Sequence, residues 1–367
     1  MTDINYERLL DREPVQVSLS KALGYVKDKR VLVTGAGGSI GRELCKQLVS
    51  SNASRLYMLG HGENSIYDTA QLLLKEERRK MPDDEIIPVI GEIQDRDYMK
   101  FLMKRLKADV VFHTAAHKHV PMTEENPVET IKNNVFGTKN MVDACKEAGV
   151  DKFVFISTDK AVEPICIYGA SKHLAEEIVL NESSHKFLVV RFGNVLGSKG
   201  SILPLFMEQI DSGGPVTITD ENVTRYFMTI PEAVSLVLKI GGIGLGGELY
   251  LLDMGEPIRI TNLVKNLMEY LGTTVDIKII GLRQGDKLSE RLWSEESEEI
   301  KNTRYRGIIK VECLTKTKDL DIILERLKPI CFFDSDFLEK YRNKNELRDI
   351  LINIFPTLES PEYETNL

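Results

Sequence analysis

Residues 31–44 read "VLVTGAGGSIGREL", and this stretch decides the fold. A β-branched run ends at Gly35, and Gly38 and Gly41 follow at three-residue steps before an amphipathic pattern begins. Glycines belong at such a junction for separate reasons: the tight turn, the close approach of backbone to a pyrophosphate, and the packing of helix on strand. The helix that starts there offers free N–H groups and a partial positive charge, which suit an anion. Ser39 and Ile40 complete the loop between the glycines. After a strand and before a helix the pattern reads as a dinucleotide cradle; elsewhere a glycine triplet is an ordinary turn.

Outward from this loop, "RVLVTG" (30–35), "RLYMLG" (55–60), "IIPVIG" (86–91), "DVVFHTAA" (109–116), "KFVFIST" (152–158), "FLVVRF" (187–192) and "ELYLLDMG" (248–255) read as buried strands. Amphipathic segments separate them, such as Ile40–Val49, whose Ile40, Leu44, Leu48 and Val49 share one face. The alternation predicts an α/β fold, a doubly wound parallel sheet of the Rossmann type with helices on both faces. Beyond about residue 195 the pattern turns irregular, with loop-like "SGGPVTITD" and "GGIGLGG". The expected organisation is an N-terminal arm (1–28) and a dinucleotide-binding domain (29–193) with a return at about 226–254. A smaller substrate-binding lobe is expected from 194–225 and 255–330, then a helical C-terminal tail (331–367). The end of that tail, "FPTLESPEYETNL", is expected to be flexible, because acidic, proline-containing ends rarely pack.

A chain of 367 residues can form one large domain or two moderate ones. With 42% hydrophobic and 28% charged residues it has the balance of a soluble globular protein. A net charge of −8 and the lack of any Lys/Arg block argue against a nucleic-acid partner. The cysteines (Cys45, Cys145, Cys166, Cys313, Cys331) are scattered, and no pair has metal-ligand spacing. Reduced thiols in a cytoplasm are the simplest reading, with no metal site. The first twenty residues carry charge throughout and lack the apolar core of a signal peptide. No run reaches the ~18 apolar residues of a membrane span, so a soluble chain with no membrane partner is expected.

The choice of dinucleotide turns on the end of the second strand. An Asp or Glu there usually holds the ribose 2′-OH of NAD. This chain has Gly60-His61-Gly62-Glu63-Asn64, with no acid immediately at the strand end. A missing carboxylate removes repulsion against a 2′-phosphate, which His61 can face, with Asn64 beside it. NADP is therefore favoured; NAD is the alternative, with Glu63 reaching the ribose.

The reacting residues lie in "FISTDKAVEPICIYGASK" (155–172). Tyr168 and Lys172 stand one helical turn apart, downstream of a strand ending in Ser157 and Thr158. Tyrosine, with an unperturbed pKa near ~10, is a poor base at neutral pH. A lysine ammonium on the same face lowers that pKa and can hold a nicotinamide ribose, while Thr158 can bond the same substrate hydroxyl. A buried Tyr and a solvated Lys on an ordinary helix would share this spacing, so its context gives it meaning. Alcohol oxidation needs no further acid or base, yet Asp159 and Lys160 follow Thr158 directly. Oxidising a sugar C4 hydroxyl acidifies C5–H, so a base can take that proton while an acid helps the C6 hydroxyl leave as water. Lys160 is read as the C5 base and Asp159 as the acid. Each must then adopt the protonation state opposite to its solution preference, although neighbouring opposite charges push both the wrong way.

These residues resemble a family. The chain is similar to extended short-chain dehydrogenase/reductases, and among them to bacterial UDP-N-acetylglucosamine 4,6-dehydratases of polysaccharide biosynthesis. The resemblance runs through "LLDREPVQVSL", "TGAGGSIGREL", "HTAAHKHVPMTEENP", "STDKAV", "YGASK", "RFGNVLGSKGS", "TRYFMTIPEAV" and "LRQGDKLSE", roughly residues 8–295. Its most specific parts are "STDKAV" and "AAHKHVP", since related dehydratases acting on glucose carry Asp-Glu in place of Asp-Lys. It implies that Glu92 and Ile93 flank the adenine, that Ala115 and Ala116 line the cofactor ribose, and that Asn134 supports the active-site helix. Lys118 and His119 would approach the sugar, and Asn194, Ser201, Arg225, Arg283 and Asp286 would line the nucleotide diphosphate or uridine site. Arginine suits phosphate because its planar fork pairs bidentately.

The implied reaction is dehydration of UDP-N-acetylglucosamine with a tightly held, recycled cofactor. The "LLDREPV" arm sides with the group that retains configuration at C5; Tyr168 departs from many long members, which carry Met there and an N-terminal membrane region. A homo-oligomer is expected, with the arm against another subunit. The alternatives are a C5-inverting dehydratase, a UDP-sugar 4-epimerase, which needs only Thr158, Tyr168 and Lys172, and a non-catalytic dinucleotide sensor.

Overall fold

The computed structural model describes residues 6–10, 12–18, 22–182, 185–314, 317, 319–359 and 361–363. The extreme ends of the arm and tail, 1–5 and 364–367, lie outside them. At the centre stands a nine-stranded sheet. Its strands are β1 (Arg30–Thr34), β2 (Arg55–Gly60), β3 (Ile86–Ile90), β4 (Val110–His113), β5 (Lys152–Ile156), β6 (Lys186–Arg191), β7 (Glu248–Leu252), β8 (Glu298–Asn302) and β9 (Ile308–Cys313). The spatial order is β8-β9-β7-β6-β5-β4-β1-β2-β3. Strands β1 to β7 pair in parallel, whereas β9 joins β7, and β8 joins β9, antiparallel.

Continuous apolar runs such as "VLV" and "FVF" are what a sheet covered on both faces requires, and Val31–Val33 and Phe153–Phe155 are fully buried. Helices Ser39–Val49 and Ile230–Ile243 pack together on one side, and Arg96–Leu106, Gly137–Ala148 and Ile167–Leu180 pack in sequence on the other. Strand order reverses between β1 and β4, which opens a crevice at their carboxyl ends.

A second, smaller core gathers Leu203, Phe206, Val216, Ile218, Leu263 and Leu267 from two separated stretches. Its extent corrects the expected lobe. The hairpin β8–β9 and helix Leu320–Cys331, expected in the lobe, extend the central sheet and its cover. In the hairpin Ile308 and Val311, on opposite faces of β9, are both buried in the large core, while Lys310 turns to Glu248 at 2.9 Å.

The described residues of the arm pack against the body of their own chain. Leu9 and Leu10 enter the smaller core, and Arg12 grips Glu232 with both guanidinium nitrogens at 2.8 and 3.1 Å. The described residues of the tail pack as well. Phe355 and Leu358 are buried; Thr357 Oγ1 donates to Pro164 O at 2.9 Å, and Tyr363 Oη donates to Glu124 O at 2.9 Å. Those apolar and aromatic side chains supply the packing that an acidic, proline-containing composition concealed. Among the described residues no helix is long and apolar enough to cross a membrane.

Candidate active site

A cleft of about 1030 Å³ runs from the glycine loop to the smaller lobe. At its first end the backbone forms the wall. Gly35 has φ +65°, and a Cβ there would stand 2.8 Å from the Ala115 nitrogen. A Cβ on Gly41 would strike the Gly35 carbonyl and lie 2.8 Å from Ala36 Cα. Gly38 begins helix Ser39–Val49 without any side-chain cap, so the first-turn N–H groups stay open where Gly38, Ser39, Ile40 and Gly41 line the cleft. An open helix terminus behind side-chain-free walls fits a dinucleotide pyrophosphate.

Ala116 lines the same wall, and Ala115 lies behind it against Gly35. His61, Asn64 and Glu92 are exposed at the ends of β2 and β3, off the lining of the cleft. Ile93 is buried beside Gly137, and its carbonyl accepts from Asn140 Nδ2 at 3.0 Å. Asn134 is buried beneath the cleft in a π turn, Lys132–Phe136, inside the run of helix from Pro127 to Ala148. Its Oδ1 accepts from His117 N at 2.8 Å, and its Nδ2 donates to His117 O and Ser171 Oγ, each at 2.9 Å. One amide thus ties the loop after β4 to the helix that carries Tyr168.

The residues expected to react come together where β5 ends. Thr158 caps the 3₁₀ turn Asp159–Ala161; its hydroxyl donates to Asp159 Oδ1 at 2.9 Å and accepts from Lys160 N. Tyr168 and Lys172 follow on helix Ile167–Leu180, and Thr158, Lys160, Tyr168 and Lys172 all line the cleft. Asp159 lies beneath its floor, fully buried, with Oδ2 unpartnered and 3.0 Å from where a Cβ on Gly193 would stand.

Lys172 Nζ donates to Ile156 O at 2.7 Å and sits 3.8 Å over the Phe155 ring, and burial lowers its pKa to about 7. Burial pushes Tyr168 up to about 12, and the cation that pulls it back is Lys160. Burial also holds Asp159 above the ordinary carboxylate range, even against Lys160. For Lys160, burial alone would depress the pKa, but the carboxylates of Asp159 and Glu290 overcome it and hold the ammonium above an ordinary lysine.

Glu290 was not singled out from the sequence. Its side chain is 3% exposed, its Oε1 is 3.2 Å from Lys160 Nζ, and its Oε2 has no partner. The segment carrying it is pinned across the turn, because Lys287 Nζ donates to Val162 O at 3.0 Å and Glu163 O at 2.8 Å. A lone glutamate 130 positions after Lys160 carries no local signal.

At the lobe end, Lys118, His119, Asn194, Ser201, Arg225, Arg283 and Asp286 all line the cleft. Ser201 begins helix Ile202–Asp211 without capping it, and its hydroxyl is buried and unpartnered. Arg225 is partly committed: Nη1 donates to Thr224 O at 2.8 Å and Leu288 O at 3.3 Å, and Nε stands 3.9 Å from Glu290.

Residues 31–312 match the family described as "Polysaccharide biosynthesis protein". The chain belongs to that family. Within it, the chain is 45% identical over 351 residues to the capsular polysaccharide biosynthesis protein CapD of Staphylococcus aureus, covering 93% of this chain and 57% of that one. It is 47% identical over 297 residues to the probable polysaccharide biosynthesis protein EpsC of Bacillus subtilis, 79% of this chain and 49% of that one. The chain therefore spans about half the length of these two relatives. Over 339 residues it is 30% identical to the "UDP-N-acetylglucosamine 4,6-dehydratase (inverting)" of Campylobacter jejuni, covering 88% and 97% of the two chains. Among solved structures, Pen from Bacillus thuringiensis superposes with a TM-score of 0.71 at 30% identity, over 79% and 89% of the chains. The dTDP-glucose 4,6-dehydratase DesIV of Streptomyces venezuelae shares the fold, with a TM-score of 0.62 at 22% identity over 73% and 89%.

Proposed function

We propose that the chain dehydrates UDP-N-acetylglucosamine to its 4-keto-6-deoxy derivative, with retention at C5 and with NADP favoured over NAD. The observation that carries this is the Asp159–Lys160 pair, bonded to Thr158 and set beside Tyr168 at one cleft. Alcohol oxidation alone gives the pair no task. A nicotinamide dinucleotide held along the glycine loop would supply the hydride acceptor for C4 and the hydride donor for C6. Tyr168, with Thr158, takes the O4 proton. Lys160 takes the proton from C5, and Asp159, whose burial favours the protonated form, gives its proton to the departing C6 hydroxyl. At the lobe end Ser201, Arg225 and the open terminus of helix Ile202–Asp211 suit a diphosphate.

For NADP the support is β2 ending in Gly60 and His61 with no acid; for NAD it is DesIV, solved with NAD bound. Retention rests on the arm's resemblance to the retaining group. Inversion has the name of the Campylobacter jejuni relative behind it. A 4-epimerase reading also has a named relative, the UDP-glucose 4-epimerase of Rickettsia canadensis, 32% identical over 275 residues.

The test is UDP-N-acetylglucosamine with the purified protein and catalytic NADP or NAD in deuterated water, read by mass spectrometry and NMR. The expected product is lighter by one water and carries deuterium at C5, whose configuration decides retention. An unchanged mass with a new 4-epimer overturns the proposal.

A further inference from the structure

Asp159 and Lys160 leave one proton unplaced. For Lys160 to act as base it must first lose a proton, and Asp159 cannot take it if Asp159 already carries the one destined for the C6 oxygen. Glu290 stands on the other side of the same ammonium. Its Oε1 is 3.2 Å from Lys160 Nζ, matching the 3.2 Å from Lys160 to Asp159. Both carboxylates are buried, and each keeps one oxygen, Glu290 Oε2 and Asp159 Oδ2, without a partner.

We infer that Glu290 is a positioning residue for the elimination: it accepts the proton of Lys160 when substrate binds and so leaves Lys160 neutral beside C5. This rests on the dehydratase reading. The groups facing Lys160 are Asp159, Glu290, Arg225 and Tyr168; those facing Glu290 are Lys160, Arg225 and Lys287. In the substrate-free site the three cations hold Glu290 below the ordinary range despite its burial. Arg225 Nε lies 3.9 Å from Glu290 and also lines the cleft. A diphosphate drawn to Arg225 diverts that charge, and exclusion of water disfavours a separated Lys160⁺/Glu290⁻ pair. Both changes move the proton from Nζ to Oε.

The protons balance within the cluster. Nζ of neutral Lys160 takes the C5 proton as the C5–C6 double bond forms, the C6–O bond breaks, and Asp159 gives its proton to that oxygen. Lys160⁺ then reprotonates Asp159 across 3.2 Å, while Glu290 keeps the first proton. Hydride return to C6 leaves C5 to be protonated with the proton that Tyr168 took from O4, after its exchange with solvent. No oxidant beyond the nicotinamide is involved.

The test compares the parent with Glu290→Gln and Glu290→Asp in single turnovers with UDP-N-acetylglucosamine and cofactor. Nicotinamide absorbance reports C4 oxidation, and water loss with C5 deuteration reports elimination. In E290Q, elimination should slow by ~100-fold or more while C4 oxidation stays within about threefold, so reduced cofactor accumulates. E290D should recover at least about tenfold of the lost elimination. Dehydration by E290Q at the parent rate overturns the role, as does equal slowing of both half-reactions. If E290Q does not fold, E290D carries the test: elimination slowed more than oxidation supports the role, and equal slowing overturns it. A parent that loses no water overturns the dehydratase reading together with this one; a dehydrating parent beside an unimpaired E290Q overturns the Glu290 role alone.

Discussion

The two ends of the cleft are built by opposite means. At the dinucleotide end the functional atoms are backbone N–H groups and side-chain-free walls, supplied within residues 35–41 and by their neighbour Ala115. At the sugar end they are side-chain tips, and the charges that tune them come from residues 159, 160, 225 and 290. A backbone cradle needs only permissive residues at adjacent positions, so its signature is local. A buried charge cluster needs a counter-charge for every ion, and that partner is placed by the fold. The first kind of site tolerates changes in its surroundings; the second depends on each of its members.

The largest effect that would sharpen this contrast is expected at Tyr168. Tyr168→Phe keeps the ring and removes the only hydroxyl on the cleft-lining helix turn suited to take the O4 proton. Both half-reactions should fall by about 10³–10⁴-fold, with cofactor affinity unchanged. Measured C4 oxidation near the parent rate would move the first proton transfer elsewhere in the cluster.

Asp159→Asn should come next, slowing elimination by roughly 10²–10³-fold and C4 oxidation far less. It also carries a pH signature. Burial raises the Asp159 pKa above the ordinary carboxylate range, so the acid form is complete at low pH and is lost as pH rises through the raised value. The parent's elimination rate should therefore fall on that alkaline side, and D159N should lack the limb. A parent profile flat above the carboxylate range would remove the acid role.

How legible these two ends were follows from the same physics. The strands announced themselves as β-branched runs, and Gly35, Gly38, Gly41, Tyr168 and Lys172 stood at spacings that chemistry dictates. Asp159 and Lys160 were visible as a dipeptide, but not the burial of Asp159 beneath Gly193 or the tie of Lys160 to Glu290. Lys172 was legible from helix spacing; its bond to the Ile156 carbonyl and the nearness of the Lys160 cation to Tyr168 were visible only in the fold. The hairpin β8–β9 mixes Glu298, Glu299, Lys301, Lys310 and Glu312 with its apolar residues, and only the fold shows that Ile308 and Val311 seat it on the sheet edge.

At the backbone end a smaller effect is expected from Gly41→Ala. The added methyl meets the Gly35 carbonyl and Ala36 Cα at the cradle itself. Displacing tightly packed backbone costs about 1–3 kcal/mol, which weakens dinucleotide binding by roughly tenfold or more. Fluorescence titration with NADP and NAD reads this directly. With saturating cofactor the ratio of elimination to oxidation should match the parent; a changed ratio would mean that the two ends are not separable.

The smallest effect belongs to the tail. Tyr363 Oη donates to Glu124 O at 2.9 Å, and the Glu124 carboxylate accepts from Ile167 N at 2.7 Å, one residue before Tyr168. The tail therefore reaches the start of the active-site helix through one intermediary. Tyr363→Phe removes a single neutral hydrogen bond on a half-buried ring and should cost about 1 kcal/mol or less in a denaturant titration. Because Glu124 holds Ile167 through its side chain and meets Tyr363 through its backbone, the helix start should keep its bond. Turnover should then stay at the parent rate. A turnover loss larger than the stability loss would show that the tail, like the charge cluster and unlike the glycine cradle, acts on chemistry through a partner far away in sequence.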